Sequence, residues 1–442
     1  MLNTLKRELH FWDSIAITVG IVIGVGIFRT PSEIAKYIDS PTLILLAWIL
    51  GGAISLLGVF CYAELSSRFP ETGGTYVFLR EAYGKFIGFL YGWSEFSINR
   101  AASIAAVAYI FSAYLRNFVP FGTGNEKWIA LAAICILTVV NIVGLHFGVR
   151  IQHVLSSFKV IAILLVAGLI FWFAKPLTTG DSFYASIAGG KHNPQFAIAL
   201  IPILWSYGGW HECTFMSGEF RDTRKELPIS LIVSALIVTG LYVLINAAYL
   251  RVISPAEMIE SKAIASDALM RLFGAPGKVI VTIAILTSSL GALNSTILTG
   301  GRIPFSVAQD CPRLAWVGQV DHRFKTPLRS LALNGVWASV LVLWGNFEQL
   351  LFLNAFEIWL FFILAGVSVF IFRRRSQMAN TFSMVGYPVV PILFTIASAW
   401  LCLTTIQHAP RESFFGTLLI LAGVPIYFLV RQGTRSPYKS IV

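Results

Sequence analysis

The sequence predicts an all-α membrane protein of twelve transmembrane helices, ten of which form a five-plus-five inverted repeat. Three observations lead there. Of the 442 residues, 56% are hydrophobic and only 12% charged, too little charge to cover a soluble chain of this length. The apolar residues come in runs of the roughly 20 residues needed to cross a bilayer. Two of those runs, the first and the sixth, carry glycine-rich interruptions at positions that an inverted repeat makes equivalent.

The spans are expected at about 12–36, 42–68, 86–118, 127–146, 150–174, 194–218, 229–250, 277–309, 328–346, 349–372, 384–406 and 413–431. They form one domain: a first repeat over 12–174, a second over 194–372, and two additional helices over 384–431. The first apolar run continues past a short leader-like core into a polar break, so no cleavable signal peptide is expected. With the N-terminus inside, the cytoplasmic segments hold 20 of the 33 lysines and arginines. The positive-inside rule therefore puts both termini in the cytoplasm, with the cell membrane as location.

The net charge of +11 does not point to nucleic acid. The basic residues sit in short tracts between apolar runs, such as Arg373, Arg374 and Arg375, as topological charge does beside membrane lipid. Cys61, Cys135, Cys213, Cys311 and Cys402 are scattered without CxxC spacing, which supports neither a disulfide framework nor a metal site. There is no HExxH, GxSxG or Walker loop, so neither an enzyme nor a cofactor is expected.

The first break reads GIVIGVGIF, with Gly20, Gly24 and Gly26. The sixth reads WSYGGWHE, with Gly208 and Gly209 after Pro202. Glycine inside a helix costs about 1 kcal/mol relative to alanine, and unwound backbone at membrane depth survives only in protein or against a cavity. Small residues also serve close helix packing. Paired breaks in two halves favour a binding site. Exposed N–H groups at a half-helix start suit a carboxylate, and freed carbonyls suit an ammonium. Such a site fits a zwitterion.

Charges within the spans are functional candidates. Lys159 lies nine residues beyond Arg150, about 13 Å further along its helix, which makes snorkelling to the interface difficult. Glu95 and Arg100 are five residues apart, about 140° around an α-helix, so they should not pair directly. Ser103, a turn later, is the better pocket candidate. Glu212 and Glu357 are candidates for proton linkage. Glu64, one turn from Arg68, is expected to be structural.

Several of these segments resemble the amino acid–polyamine–organocation superfamily, specifically its L-type amino acid transporter branch. GIVIGVGIF is similar to that family's first-helix signature, and WSYGGW to its sixth-helix break. The segment 61–84, CYAELSSRFPETGGTYVFLREAYG, with GFLYGW at 88–93, resembles its second-to-third helix region. SPAEMIESKAIASDALMRLFG resembles the outer loop before helix eight, and GRIPFSVAQDCPRL with HRFKTP the loop after it. The resemblance covers about residues 10–375 and implies the leucine-transporter (LeuT-type) fold, in which helices one, two, six and seven move against a scaffold.

It further implies a substrate site at Ile23, Gly24, Val25, Gly26 and Ile27 in the first helix. There the N–H groups of Val25, Gly26 and Ile27 receive the carboxylate. Carbonyls of Trp205, Ser206 and Gly208 take the ammonium, and Trp205 stands at the aromatic gate. Val25 replaces a hydroxyl residue common in the family. In sodium-coupled relatives a cation sits between helices one and eight. In the lysine-bearing branch a fifth-helix amine lies there instead, bonded to a first-helix carbonyl and an eighth-helix serine, which here are Lys159 and Ser288, with Ser289 the next candidate. The expectation is a sodium-independent permease for a small or medium neutral amino acid, working as an exchanger. A proton-coupled symporter and a non-transporting nutrient sensor are the alternatives. Eukaryotic relatives hold a heavy subunit through an outer-loop cysteine. The corresponding NFVPFGTGNEKW has none, so no disulfide-linked partner is expected.

Overall fold

In the computed structural model the described residues run from 5 to 431, apart from Val25, Asn117, 120–124, 175–194, Lys262, 345–346 and 376–380; within helices, the side chains of Ala197, Trp344 and 347–355 are also outside the description. They are almost wholly helical. The first expected span is two helices, α1 (Phe11–Val22) and α2 (Gly26–Ala35), whose axes meet at 43°. Beyond α3 (Pro41–Arg68) and the short α4 (Thr75–Tyr83), the third span comprises α5 (Lys85–Ser94), a π-helical turn (Glu95–Arg100) and α6 (Ala101–Leu115). α7 (Glu126–Val143) and α8 (Leu145–Phe173) follow. Ser40 caps α3 by accepting from the Leu43 N–H, as a serine N-cap does.

The second half opens with α9 (Phe196–Ser206), which stops at the glycine pair and resumes as a 3-10 turn over Glu212–Glu219. α10 (Glu226–Val252) leads to two short helices, α11 (Pro255–Glu260) and α12 (Ile264–Phe273). α13 (Ala275–Gly300) continues into α14 (Arg302–Asp310). α15 (Leu328–Trp344), α16 (Phe347–Arg375), α17 (Val389–His408) and α18 (Pro410–Arg431) complete the chain.

Among the described residues nine helices are long and apolar enough to cross a membrane, ten if the bent pair α1–α2 counts as one span. Two of the twelve expected spans fall short by that measure. α9 has 11 residues before its break, and α15 has 17.

Packing separates two groups. α1, α2, α3, α9 and α10 pack on one another, while α6, α7, α13 and α15 enclose a second apolar cluster that includes Ala105, Ile134, Leu293 and Ala338. α8 touches both groups. At the end of the molecule bearing residues 8–13, the chain before α1 is strapped down. Glu8 and Leu9 donate their N–H groups to the Glu219 carbonyl, each at 2.9 Å, and the Arg221 N–H returns to Leu9. Glu219 itself holds Arg302 of α14 in a two-pronged ion pair at 2.8 Å, both side chains buried.

Candidate functional site

Glycine sterics bring the two breaks together. A Cβ on Gly26 would lie 2.7 Å from Ser206 Oγ and 3.2 Å from the Trp205 ring, so only glycine lets the start of α2 approach the end of α9 this closely. Thr30 and Ser206 then share a hydroxyl contact of 2.7 Å. Gly209 has φ +99°, a left-handed conformation that favours glycine, and its Cβ would fall 2.3 Å from Ile21 Cγ2. The chain can therefore turn out of α9 against α1 at this point.

A cavity of about 130 Å³ opens between the breaks. Gly24, Gly26, Trp205, Ser206 and Gly208 line one side, and Ser55, Asn99, Ser103 and Thr296 supply polar atoms from three other helices. Trp359 and Phe362 of α16, with Phe394 of α17, form an aromatic wall. Trp205 is half-buried at the edge between α2 and α9. The Gly26 and Ile27 N–H groups belong to the opening turn of α2, where an α-helix offers no internal acceptor.

The carbonyls at the first break are held from behind. Lys159, buried in α8, donates to the Gly20 carbonyl at 2.6 Å and the Ile23 carbonyl at 2.8 Å. Ser288 of α13 donates to the Ile23 and Gly24 carbonyls, both at 3.2 Å. The expected lysine–serine contact is thus replaced by a shared acceptor, Ile23, on which both donors converge. Ser289 turns back to the Leu286 carbonyl instead. Gly291 makes room for the amine, since a Cβ there would meet Lys159 Cε at 2.7 Å.

Tyr242 of α10 ties the two breaks to each other. Its buried hydroxyl lies 2.7 Å from the Val22 carbonyl and 3.0 Å from the Ser206 carbonyl. The Trp205 carbonyl accepts the Gly208 N–H at 3.0 Å. A carbonyl oxygen has two lone pairs, so both carbonyls retain capacity for a further donor.

A buried ionic cluster adjoins the cavity. Arg100 pairs at 2.5 Å with Glu95 and at 2.5 Å with Glu212, and Glu212 lines the cavity while accepting the Thr299 hydroxyl at 3.1 Å. The Glu95–Arg100 pair overturns the sequence expectation that these residues face apart. That expectation assumed α-helical spacing, whereas Glu95–Arg100 is a π-helical turn, whose i→i+5 pattern stacks residue 100 over residue 95. Glu64 pairs with Arg68 at 2.7 Å, as expected from their spacing, and also with Arg373 of α16.

Of the sequence-derived site residues, Gly24, Gly26, Ser103, Trp205, Ser206 and Gly208 line one cavity. Ile23 and Ile27 have fully buried side chains away from it, so only their backbone is available to the site. Val25 lies outside the described residues. Sequence reasoning missed Tyr242, Thr30, Asn99 and Thr296. For Thr30, Asn99 and Thr296 a hydroxyl or amide inside an apolar run was the available signal.

Comparison with known proteins adds three findings. A family model described as amino acid permease matches residues 9–430. The serine/threonine exchanger SteT of Bacillus subtilis (strain 168) is 30% identical, over 98% of this chain and 99% of that protein. The human b(0,+)-type amino acid transporter 1 is 29% identical over 97% of this chain and 88% of its own, and the mouse Asc-type amino acid transporter 1 is 28% identical over 96% and 81%.

Proposed function

The chain belongs to the amino acid permease family, and from that premise we propose that it is a sodium-independent exchanger of small or medium neutral amino acids. Amino acid transport through a multi-helical integral membrane protein follows from the family; the exchanger reading goes further. It rests above all on one observation, the convergence of two helix breaks on a single small cavity.

The substrate carboxylate sits on the opening turn of α2, at the N–H groups of Val25, Gly26 and Ile27, where the helix dipole favours negative charge. The ammonium sits on the free lone pairs of the Trp205, Ser206 and Gly208 carbonyls. Ile23 and Gly24 shape the break, and Ser103 faces the side chain. Among the described residues the lining's only charged residue is Glu212, already engaged by Arg100. A charged substrate side chain would find no counter-ion. The cavity volume of about 130 Å³ is below the several hundred Å³ of drug-sized ligand pockets.

Lys159 supports sodium independence. Its ammonium occupies the position behind the first break where a bound cation would otherwise satisfy the Gly20 and Ile23 carbonyls. Exchange is supported by the named activity of the Bacillus relative. The two packed groups, which meet through α8 and where α1 packs on α13, support a LeuT-type arrangement of twelve spans, with repeats over 12–174 and 194–372 and both termini cytoplasmic at the cell membrane. The cysteine-free outer loop supports operation without a disulfide-linked heavy subunit.

Counterflow in proteoliposomes tests the reading. Labelled serine, threonine or alanine should accumulate against an internal unlabelled pool equally in sodium and in choline, and labelled arginine or glutamate should not. Uptake that needs sodium, or that proceeds without an internal pool, would overturn the respective part.

A further inference from the structure

Resting on the exchanger reading above, we infer that Glu357 of α16 is a proton-binding site: it holds a resident proton throughout the exchange cycle, and its loss in alkaline conditions arrests exchange.

Glu357 is fully buried. One carboxyl oxygen is hydrogen-bonded to the Ser94 hydroxyl, and the other has no partner among the described residues. The charged groups acting on it come from the π-turn segment, Glu95 and Arg100. Tyr91 of α5 is a further titratable neighbour; α3 brings Tyr62 against Phe362, α4 brings Tyr83, bonded to the Leu364 carbonyl, and α6 brings Tyr109, bonded to the Val342 carbonyl, and Tyr114. From α17 the sequence offers only Cys402 and the terminal His408; from α18, Tyr427 and the end residues Arg411, Glu412 and Arg431. Glu64 and Arg68 of α3 engage each other at that helix's far end.

The hydrogen-bond inventory then decides the matter. Three carboxyl groups, Glu95, Glu212 and Glu357, lie near one guanidinium, whose terminal nitrogens bond Glu95 and Glu212; its Nε has no partner among the described residues, and none of its nitrogens bonds Glu357. An ionised carboxylate at Glu357 would sit desolvated beside Glu95 with no cation bonded to it among the described residues, a state that costs several kcal/mol. A carboxylic acid needs only its Ser94 hydroxyl partner. Glu357 is absent from the cavity lining, whereas its chain neighbours Ile358 and Trp359 belong to it. The proton thus has no open path to the substrate, yet ionisation would disturb the cavity wall directly. No proton moves with the amino acid.

The test uses the full chain in proteoliposomes. The infrared carbonyl band of a buried, protonated carboxylic acid should be present in wild type at neutral pH and absent in Glu357→Gln. Wild-type counterflow should fall about tenfold per pH unit on its alkaline limb, and Glu357→Gln, which keeps a neutral group beside Ser94, should flatten that limb. If Glu357→Gln does not fold, Ser94→Ala serves, and it should displace both the band and the limb. A band retained in Glu357→Gln, an unmoved limb in either variant, or proton influx coupled to substrate overturns the inference. Wild-type counterflow at neutral pH checks the exchanger reading separately, because the infrared band does not depend on it.

Discussion

Removing the Lys159 amine while keeping its apolar stem, as in Lys159→Met, isolates what that amine does. The side chain makes two charge-assisted hydrogen bonds, to the Gly20 and Ile23 carbonyls at 2.6 and 2.8 Å. Each such bond contributes about 1.5–3 kcal/mol. The Ile23 carbonyl keeps its Ser288 donor, so the low end applies there, while Gly20 receives no second side-chain donor among the described residues. The sum is about 3–4.5 kcal/mol, or at least roughly a hundredfold in the equilibrium that orders the first break. Counterflow by Lys159→Met should drop by about that factor, with apparent substrate affinity falling and the melting temperature in detergent lowered. Lys159→Ala opens space beside Gly291, and sodium should then restore part of the activity that choline does not. Lys159→Met with wild-type exchange would refute the reasoning, as would a wild type that loses exchange in choline.

Tyr242→Phe removes the hydroxyl between the Val22 and Ser206 carbonyls; about 1 kcal/mol is at stake, so exchange should slow about fivefold with little change in melting temperature. Gly26→Ala places a methyl 2.7 Å from Ser206 Oγ and should abolish counterflow while the detergent melting temperature shows that the protein still folds. Arg302→Met strands the buried Glu219 carboxylate; breaking such a pair costs about 3–5 kcal/mol, which should appear as a large fall in detergent melting temperature, partly recovered by adding Glu219→Gln. Between α10 and α13, the Arg271 guanidinium, helped by Ser254, holds the Glu257 carboxyl down to about 2 from its usual 4.5. This depressed value adds stability above about pH 4.5 that is lost as pH falls toward 2. The pair is exposed, so the contribution is about a few tenths of a kcal/mol, and Glu257→Gln should remove that small acid-dependent drop in melting temperature.

The helical class, the two breaks and Lys159 were legible because each leaves a local mark: an apolar run, a glycine cluster, a lone cation in mid-span. Tyr242 leaves no such mark, since a tyrosine in LYVLINAAY is ordinary until packing aims its hydroxyl at α1 and α9. The aromatic wall of Trp359, Phe362 and Phe394 was equally hidden, because it is assembled from chain segments far from either break. The Glu95–Arg100 pairing failed for a different reason. Sequence reasoning carried the α-helical period through a segment that does not keep it. One extra residue in a turn rotates everything after it by about 100°. Ser103 and Val107, which face the cavity from α6, therefore owe their orientation to the π turn that precedes them. The same turn swings Arg100 onto Glu95 and leaves its second nitrogen for Glu212 beside the sixth-span break. A regular α-helix through Glu95–Arg100 would turn Ser103 and Val107 off the cavity and separate the third span from that break, so the irregularity that defeated the sequence argument is a working part of the site.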